Sequence, residues 1–213
     1  MGPPGSGKGT VAQMLVRKGW VHFSMGQALR EHIAAGGKYA KTIQRLNARG
    51  ILSPNKIVSP IFHDFLTVHV KRRVVLDGYP RNLVQVKGTH AELSKKKMDI
   101  DAFILIDVPS RVLVERLSSR RQCSVCGKVF GLHLKSKHRG KCDEDGGKLI
   151  QREDDKRSTI RHRFSVYEKE TLPVVEWASS RYPVFRVDGA GSPAVVLKRV
   201  QKVISLLEKL QKK

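Results

Sequence analysis

The 213-residue sequence is short of acids, aromatics and cysteines, and it has no long apolar run. No stretch approaches the roughly 18 apolar residues a membrane-spanning helix needs. Nothing resembling a signal peptide precedes the glycine-rich opening, so we expect a cytoplasmic chain. The three cysteines all lie between Cys123 and Cys142. An odd, clustered set argues for metal over disulfides, in a reducing compartment. Aromatic residues make up only 6% of the chain, and Phe130 is the only one in the cysteine-bearing stretch. That counts against a zinc-knuckle nucleic-acid binder, which would interleave exposed aromatics with its cations. The scarcest class is acidic: 19 Asp and Glu stand against 41 Lys and Arg, leaving +22. Such a charge attracts polyanions, whether nucleotides, nucleic acid or an anionic surface. The cations are spread along the chain, so charge alone does not choose a partner. Hydrophobic content of 40% supports one core with smaller inserted lobes.

What is present begins at once. Gly2-Pro3-Pro4-Gly5-Ser6-Gly7-Lys8-Gly9-Thr10 runs into an apolar periodic segment (Val11, Met14, Leu15). Glycines let successive backbone N–H groups curl around an anion, and the helix N-terminus that follows adds positive partial charge. Lys8 contributes a mobile full charge and Thr10 a hydroxyl able to reach a metal or its waters. The stretch therefore reads as a cradle for a nucleotide polyphosphate. The general pattern has Ser or Thr directly after the lysine, where this chain has Gly9.

Along the chain, Gly9–Lys18 reads as a helix and Trp20–Phe23 as a short strand. Gln27–Ala35, Tyr39–Arg49 and Asn55–Val70 have helical spacing, with Pro60 expected to kink the last or mark its true start. Val74–Leu76 is a strand ending at Asp77-Gly78-Tyr79-Pro80-Arg81, with Gln85 on the helix behind it. Ala102–Val108 is a continuous apolar run, the pattern of a parallel strand covered on both faces. Ser110–Arg121 is a helix, and after the cysteine-bearing insert comes a long helix through Arg161, Arg163 and Tyr167. Val184–Val187 is the last strand, and Ser192-Pro193 opens a terminal helix to about Lys212. Strands alternating with helices predict α/β with a parallel sheet.

These motifs, in this order, resemble the adenylate kinases of the long-lid type, within the nucleoside monophosphate kinases. The resemblance rests on the glycine-rich loop, His22-Phe23-Ser24-Met25-Gly26 with Arg30, Asp77–Arg81 with Gln85, Val108-Pro109 with Glu115-Arg116-Leu117 and Arg120-Arg121, the cysteine insert, and Arg152-Glu153-Asp154-Asp155 with Arg163. It covers nearly the whole chain. It implies a phosphate-loop (P-loop) nucleotide kinase fold with a parallel sheet flanked by helices and two mobile inserts. The core would be 1–23, 54–120 and 156–213, the monophosphate insert 24–53 and the lid 121–155. The implied reaction is reversible, Mg²⁺-dependent phosphoryl transfer from ATP to AMP, giving two ADP, in a monomer with no specific nucleic-acid or membrane partner. Such chemistry needs positioning and cationic clamping more than a general base. The charge stabilisers are Lys8, Arg30, Arg81, Arg120, Arg152 and Arg163, and arginine's planar fork suits phosphate oxygens. By resemblance, ATP meets Gly5, Ser6, Gly7, Lys8, Gly9, Thr10, Arg116, Arg120 and Ser192, with Arg116 packed on its base. AMP meets Ser24, Met25, Arg30, Gly78, Arg81, Gln85, Arg152 and Arg163, with Gln85 reading its base. Asp77 and Thr10 would hold Mg²⁺ through waters. Arg121, Arg139, Arg161 and Arg199 have no motif support and are taken as surface residues.

Cys123-x2-Cys126 is followed after fifteen residues by Cys142-x2-Asp145, a paired-knuckle spacing that points to structural zinc. His133 and His138 are alternative fourth ligands, but neither repeats the knuckle spacing, so Asp145 is preferred. The chain departs from the family pattern at Met25 (usually Thr), Gln27 (usually Asp) and Ser53, Asn55 and Lys56 (usually apolar and acidic). All five fall in the monophosphate region, which leaves a kinase preferring another base as the alternative activity and a basic zinc-containing nucleic-acid binder as a more distant one. The chain as written is also expected to lack a first strand ahead of the glycine-rich loop, which the resemblance would place between the strands ending at Asp77 and Val108.

Overall fold

Short parallel strands carry the buried apolar runs, and each feeds a helix whose start lies at one common edge. The computed structural model describes residues 1–69 and 73–210. Helix α1 (Lys8–Val16) opens directly from the glycine-rich loop, with Gly7 at its N-cap in the left-handed region at φ 92°. Strand β1 (Val21–Ser24) leads into α2 (Met25–Ala34), where the Ser24 hydroxyl accepts from the Gln27 N–H, and then α3 (Ala40–Ala48) and α4 (Asn55–Val68). Strand β2 (Val74–Asp77), α5 (Leu83–Lys95), β3 (Phe103–Asp107) and α6 (Ser110–Ser119) follow. The cysteine-bearing stretch holds β4 (Arg121–Cys123), β5 (Val129–Phe130) and β6 (Leu149–Ile150), an antiparallel sheet in the order β5-β4-β6. A 3₁₀ turn at Glu153–Asp155 leads to α7 (Arg157–Val166), a π turn at Tyr167–Thr171 and α8 (Leu172–Ser179). Strand β7 (Val184–Asp188) and α9 (Pro193–Leu210) complete the described chain.

Pro60 does not start α4. It sits in the helix interior, and both it and Lys56, the residue four positions earlier, are exposed. The Lys56 carbonyl that proline leaves without a helical donor therefore lies on the solvent side, where water can serve it. Val70 and Lys212, the expected ends of α4 and α9, lie outside the described residues.

The expected parallel sheet is present as two pairs. β1 lies parallel to β2, with Ser24 opposite Asp77, and β3 lies parallel to β7, with Asp107 opposite Asp188. Among the described residues β2 and β3 share no ladder. Met1 flanks β3: its amino group donates to the Ile104 carbonyl, and the Ile106 N–H donates to the Met1 carbonyl at 2.9 Å. The division falls where the resemblance implies a further strand.

Two apolar clusters support this frame. Phe23, Phe62, Tyr79, Ile43 and Leu29 gather α2, α3 and α4 against β1, while Val11, Leu15, Ile106, Val187 and Val200 clasp α1 and α9 to β3 and β7. Burying side chains of this size contributes about 1.5–3 kcal/mol each. The 121–155 stretch has only Cys123, Phe130 and Cys142, with Leu149 packed against them. That is too little to hold a fold by itself.

Candidate active site

Parallel strands place their carboxyl ends together, and open α/β sheets bind ligands outside that edge. Here the glycine-rich loop, Ser24, Asp77 and the start of α6 all converge there. Two glycines of the loop answer distinct demands. A Cβ on Gly5 would lie 2.9 Å from Leu117 Cγ, so the backbone lies flush on α6. A Cβ on Gly7 would meet nothing within 4 Å, leaving open space over the loop where it turns into α1. Lys8 curls back over its own loop, and its Nζ donates to the Gly2 and Pro3 carbonyls at 2.8 Å each and to Ser6 Oγ at 3.3 Å. Burial pulls its pKa down to about 7; Asp77 opposes that, while the charges of Arg81, Arg163 and Arg120 add to it. Side chains far apart in sequence thus bear on one ammonium group.

Gly9, the departure from the general loop pattern, has a physical reason. A Cβ there would approach Asp77 Oδ2 to 3.1 Å, so the carboxylate leans on the loop immediately after the lysine. Burial pushes the Asp77 carboxyl upward, but His22, with Nε2 3.6 Å from Oδ2, and the charges of Lys8 and Arg81 outweigh it and hold it below the usual range. Asp77 beside the loop, with Thr10 on the first turn of α1, is an oxygen donor set suited to hydrated Mg²⁺.

The arginines are held by two acids. Arg120 donates bidentately to Asp155, Nε to Oδ2 at 2.6 Å and Nη2 to Oδ1. Arg163 Nη1 donates to the same Oδ1 and to the Asp154 carbonyl, both at 2.9 Å. Arg152 forks onto the Asp154 carboxylate at 2.9 and 2.7 Å. Asp155 is 0% exposed, so its two guanidinium partners are what allow its charge to be buried. Burial raises the Asp154 carboxyl, but Arg152, Arg163 and Arg120 more than offset this. Burial also lowers Arg163 and Arg30 to about 10 each, with Arg152 a further cause at both. Arg81 is tied to the Gly78 carbonyl through Nε at 3.0 Å, and Gly78 is at φ 70°, where a Cβ would come within 3.1 Å of that guanidinium.

Arg116 donates to the Gly189 and Gly191 carbonyls at 3.0 and 3.2 Å, which brings it to the rim beside Ser192. The Ser192 carbonyl accepts from the Val195 and Val196 N–H groups as α9 begins. Gln85 is buried, with Oε1 accepting from the Arg81 N–H at 2.7 Å and Nε2 donating to Asn55 Oδ1 at 2.9 Å. Met25 is buried in the cluster with Phe23, Leu29 and Ile43, so this replacement of a hydroxyl adds apolar packing instead. Sequence reasoning missed Asp154 and Asp155 as counter-ions, although paired acids beside an arginine in so basic a chain were a usable signal. It also passed over Asn82 and Thr171, whose hydroxyl donates to the Arg81 carbonyl at 2.9 Å.

The cysteine-bearing stretch assembles a second site. Cys123, Cys126, Cys142 and Asp145 offer ligand atoms all within 4.8 Å of one another. Cys126 and Cys142 Sγ are 3.6 Å apart, and Cys123 Sγ is 3.1 Å from Asp145 Oδ1. A tetrahedral zinc with bonds of about 2.3 Å to sulfur spaces its ligands by roughly 3.8 Å, close to this arrangement. The two knuckles repeat one another. Val125 N–H and Glu144 N–H point at the first sulfur of each, and Gly127 and Gly146, at φ 73° and 69°, close each turn back onto the cysteine carbonyl. Asp145 pushes the Cys126 thiol up to about 12, so packed thiols and carboxylate resist further negative charge unless a cation sits among them.

A family profile described as Adenylate kinase matches residues 1–182. The chain is similar to adenylate kinases of Fervidobacterium nodosum, 37% identical over 98% of this chain and 97% of that protein, and Kosmotoga olearia, 40% identical over 89% and 90%. It is likewise 38% identical to the adenylate kinase of Methanothrix thermoacetophila over 96% of each chain.

Proposed function

The chain belongs to the adenylate kinase family and is an ATP:AMP phosphotransferase, and we propose that the cleft around Lys8 performs the transfer. The observation that carries this reading is convergence: Lys8, Arg30, Arg81, Arg120, Arg152 and Arg163 meet where Asp77, Asp154, Asp155 and Glu31 are among the carboxylates that bear on them. Six cations facing four carboxylates leave an excess of positive charge that polyphosphates match.

In this reading the loop N–H groups of Gly5, Ser6, Gly7, Gly9 and Thr10 cradle the ATP phosphates, and Lys8 leaves its own carbonyls for them. Arg116, fixed by Gly189 and Gly191, offers its plane to the ATP base beside Ser192. Arg30 and Arg81 take the AMP phosphate, with Ser24, Met25 and Gly78 forming the wall behind it, and Gln85 meets the AMP base. Arg120, Arg152 and Arg163 exchange Asp154 and Asp155 for the transferring phosphoryl group, stabilising the charge on its equatorial oxygens. Asp77 and Thr10 would hold Mg²⁺ through waters, and the ion would supply charge neutralisation to the phosphates. Zinc held by Cys123, Cys126, Cys142 and Asp145 would be structural, since four protein ligands leave no open position. The 24–53 stretch is the monophosphate lobe and 121–155 the lid. No helix among the described residues is long and apolar enough to cross a membrane. We read the protein as a cytoplasmic monomer without a specific nucleic-acid partner.

Initial rates with ATP and each of AMP, GMP, CMP and UMP test this. AMP should be preferred by at least an order of magnitude, and equal rates with another monophosphate would refute the assignment of Gln85.

A further inference from the structure

Gln85 is held in a chain of amide hydrogen bonds that ends, on both sides, at backbone N–H groups. The Arg81 N–H donates to Gln85 Oε1 at 2.7 Å. Gln85 Nε2 donates to Asn55 Oδ1 at 2.9 Å, and Asn82 Nδ2 donates to the same oxygen at 3.4 Å. Asn82 Oδ1 accepts from the Gln85 N–H at 2.9 Å as it caps α5. A backbone N–H cannot become an acceptor, so each amide has one allowed orientation. Asn82 must turn its oxygen to α5 and its NH₂ to Asn55. Asn55 must then present oxygen, and Gln85 must present its NH₂ to Asn55 and its oxygen to Arg81.

We propose that Asn55, oriented by Asn82, is a positioning residue for base selection, fixing the order in which Gln85 offers its remaining donor and acceptor to the monophosphate base. This rests on the reading of Gln85 as the group that meets that base. Among the described residues each Gln85 amide atom makes one such bond, which leaves one N–H on Nε2 and one lone pair on Oε1. A 6-amino purine complements that pair with a ring-nitrogen acceptor beside an amine donor, as amide side chains pair with adenine. A 6-oxo purine presents an oxygen acceptor beside a ring N–H, the reverse order. An amide free to rotate by half a turn would serve both bases, whereas one locked in place serves the first. Turning Gln85 here would set its NH₂ against the Arg81 N–H and its oxygen against Asn55 Oδ1, leaving buried polar groups facing their own kind. The chain thus gives Asn55, a departure from the family pattern, a specific task. An acid there would accept from Gln85 equally well.

The test compares kcat/KM for AMP and for inosine monophosphate, with ATP fixed, in the full chain and in Asn55→Ala, Asn55→Asp and Gln85→Ala. Removing the acceptor in Asn55→Ala should lower the AMP-to-IMP ratio roughly tenfold or more, because discrimination of this kind comes from groups left unpaired with the wrong base. It should raise KM for AMP while KM for ATP holds. Asn55→Asp, which keeps the acceptor, should retain the parent ratio. If Gln85→Ala collapses the ratio while Asn55→Ala stays within twofold of the parent, Gln85 reads the base but the lock is refuted. If both Asn55 variants collapse it equally, the acceptor is not the cause and the proposal fails. An unchanged ratio in Gln85→Ala would instead remove the reading of Gln85 on which the proposal stands.

Discussion

Asp155→Asn is the sharpest perturbation this site offers, because it keeps the shape of the side chain and removes its charge. Asp155 is fully buried, and its two oxygens take three hydrogen bonds, two from Arg120 and one from Arg163. Asparagine can keep its oxygen toward Arg120 Nη2 and Arg163 Nη1, but its NH₂ then faces the Arg120 Nε–H, donor against donor. Removing one partner of a buried pair costs about 3–5 kcal/mol, because the remaining charge is left without compensation. Arg120 and Arg163 side chains retain 18% and 12% exposure, so water recovers part of that loss. We therefore expect about 2–4 kcal/mol, which for a domain of this size lowers Tm by roughly 4–16 °C. The assay is thermal unfolding with and without saturating ATP. If the arginines are phosphate clamps, the triphosphate supplies the missing anion, and the gap between variant and parent should narrow in ATP. A variant within 1 kcal/mol of the parent, or a gap indifferent to ATP, would refute the view that Asp155 holds those arginines for phosphate.

Lys8→Ala should lower turnover by a factor of about 10²–10³ without unfolding the chain, since its charge acts where negative charge develops; near-parent turnover would remove Lys8 from the mechanism. The same lysine, at about 7 in the nucleotide-free chain against 10.5 when unfolded, makes the folded state the weaker proton binder between those values, so this group's contribution to stability rises with pH across that window. Phosphate binding restores its charge, so ATP should take up a proton at pH 8, measured by calorimetry in buffers of different ionisation enthalpy, and Lys8→Ala should abolish that uptake. Metal analysis should find one zinc per chain, lost in Asp145→Ala; chelation should lower Tm while the helical signal of the core persists, and an unchanged metal content in that variant would exclude Asp145 as a ligand.

Parts of this molecule governed by local rules were legible in the sequence. The glycine-rich loop, the apolar run of β3 and the two knuckles each have a spacing that only a few backbone geometries satisfy, and the structure places them as expected. The parts governed by distant partners were not. Arg120 meets Asp155 across 35 positions and Gln85 meets Asn55 across 30, and no local pattern encodes either meeting. Asn55 stood out in sequence only as a departure from a family pattern, and Met25 likewise. Only the fold shows that the first accepts from the Gln85 amide and the second fills a core. The start of α4 at Asn55 and not at Pro60 was hidden for a related reason: proline's cost depends on whether the carbonyl it abandons is buried, which the sequence does not state. The π turn at Tyr167–Thr171 has no sequence signal that we can identify.

Helix α7 is where the two expected inserts meet. The Thr159 hydroxyl donates to the Ala48 carbonyl at the end of α3 at 3.2 Å, and a Cβ on Gly50 would lie 2.8 Å from Arg163 Cγ. On the other side Arg163 binds Asp154 and Asp155, which close the 121–155 stretch against Arg120 at the end of α6. One arginine therefore touches the elements that end both stretches. In the proposed transfer, a phosphate that draws Arg163 and Arg120 away from Asp155 would loosen both of these ties together. Because the acids are outnumbered, they hold the guanidinium groups in place without neutralising the cleft, and a polyphosphate entering the proposed site would find donors already oriented. The cost of gathering those cations, to which burial adds, is met in folding with the help of the aspartates, before any nucleotide arrives.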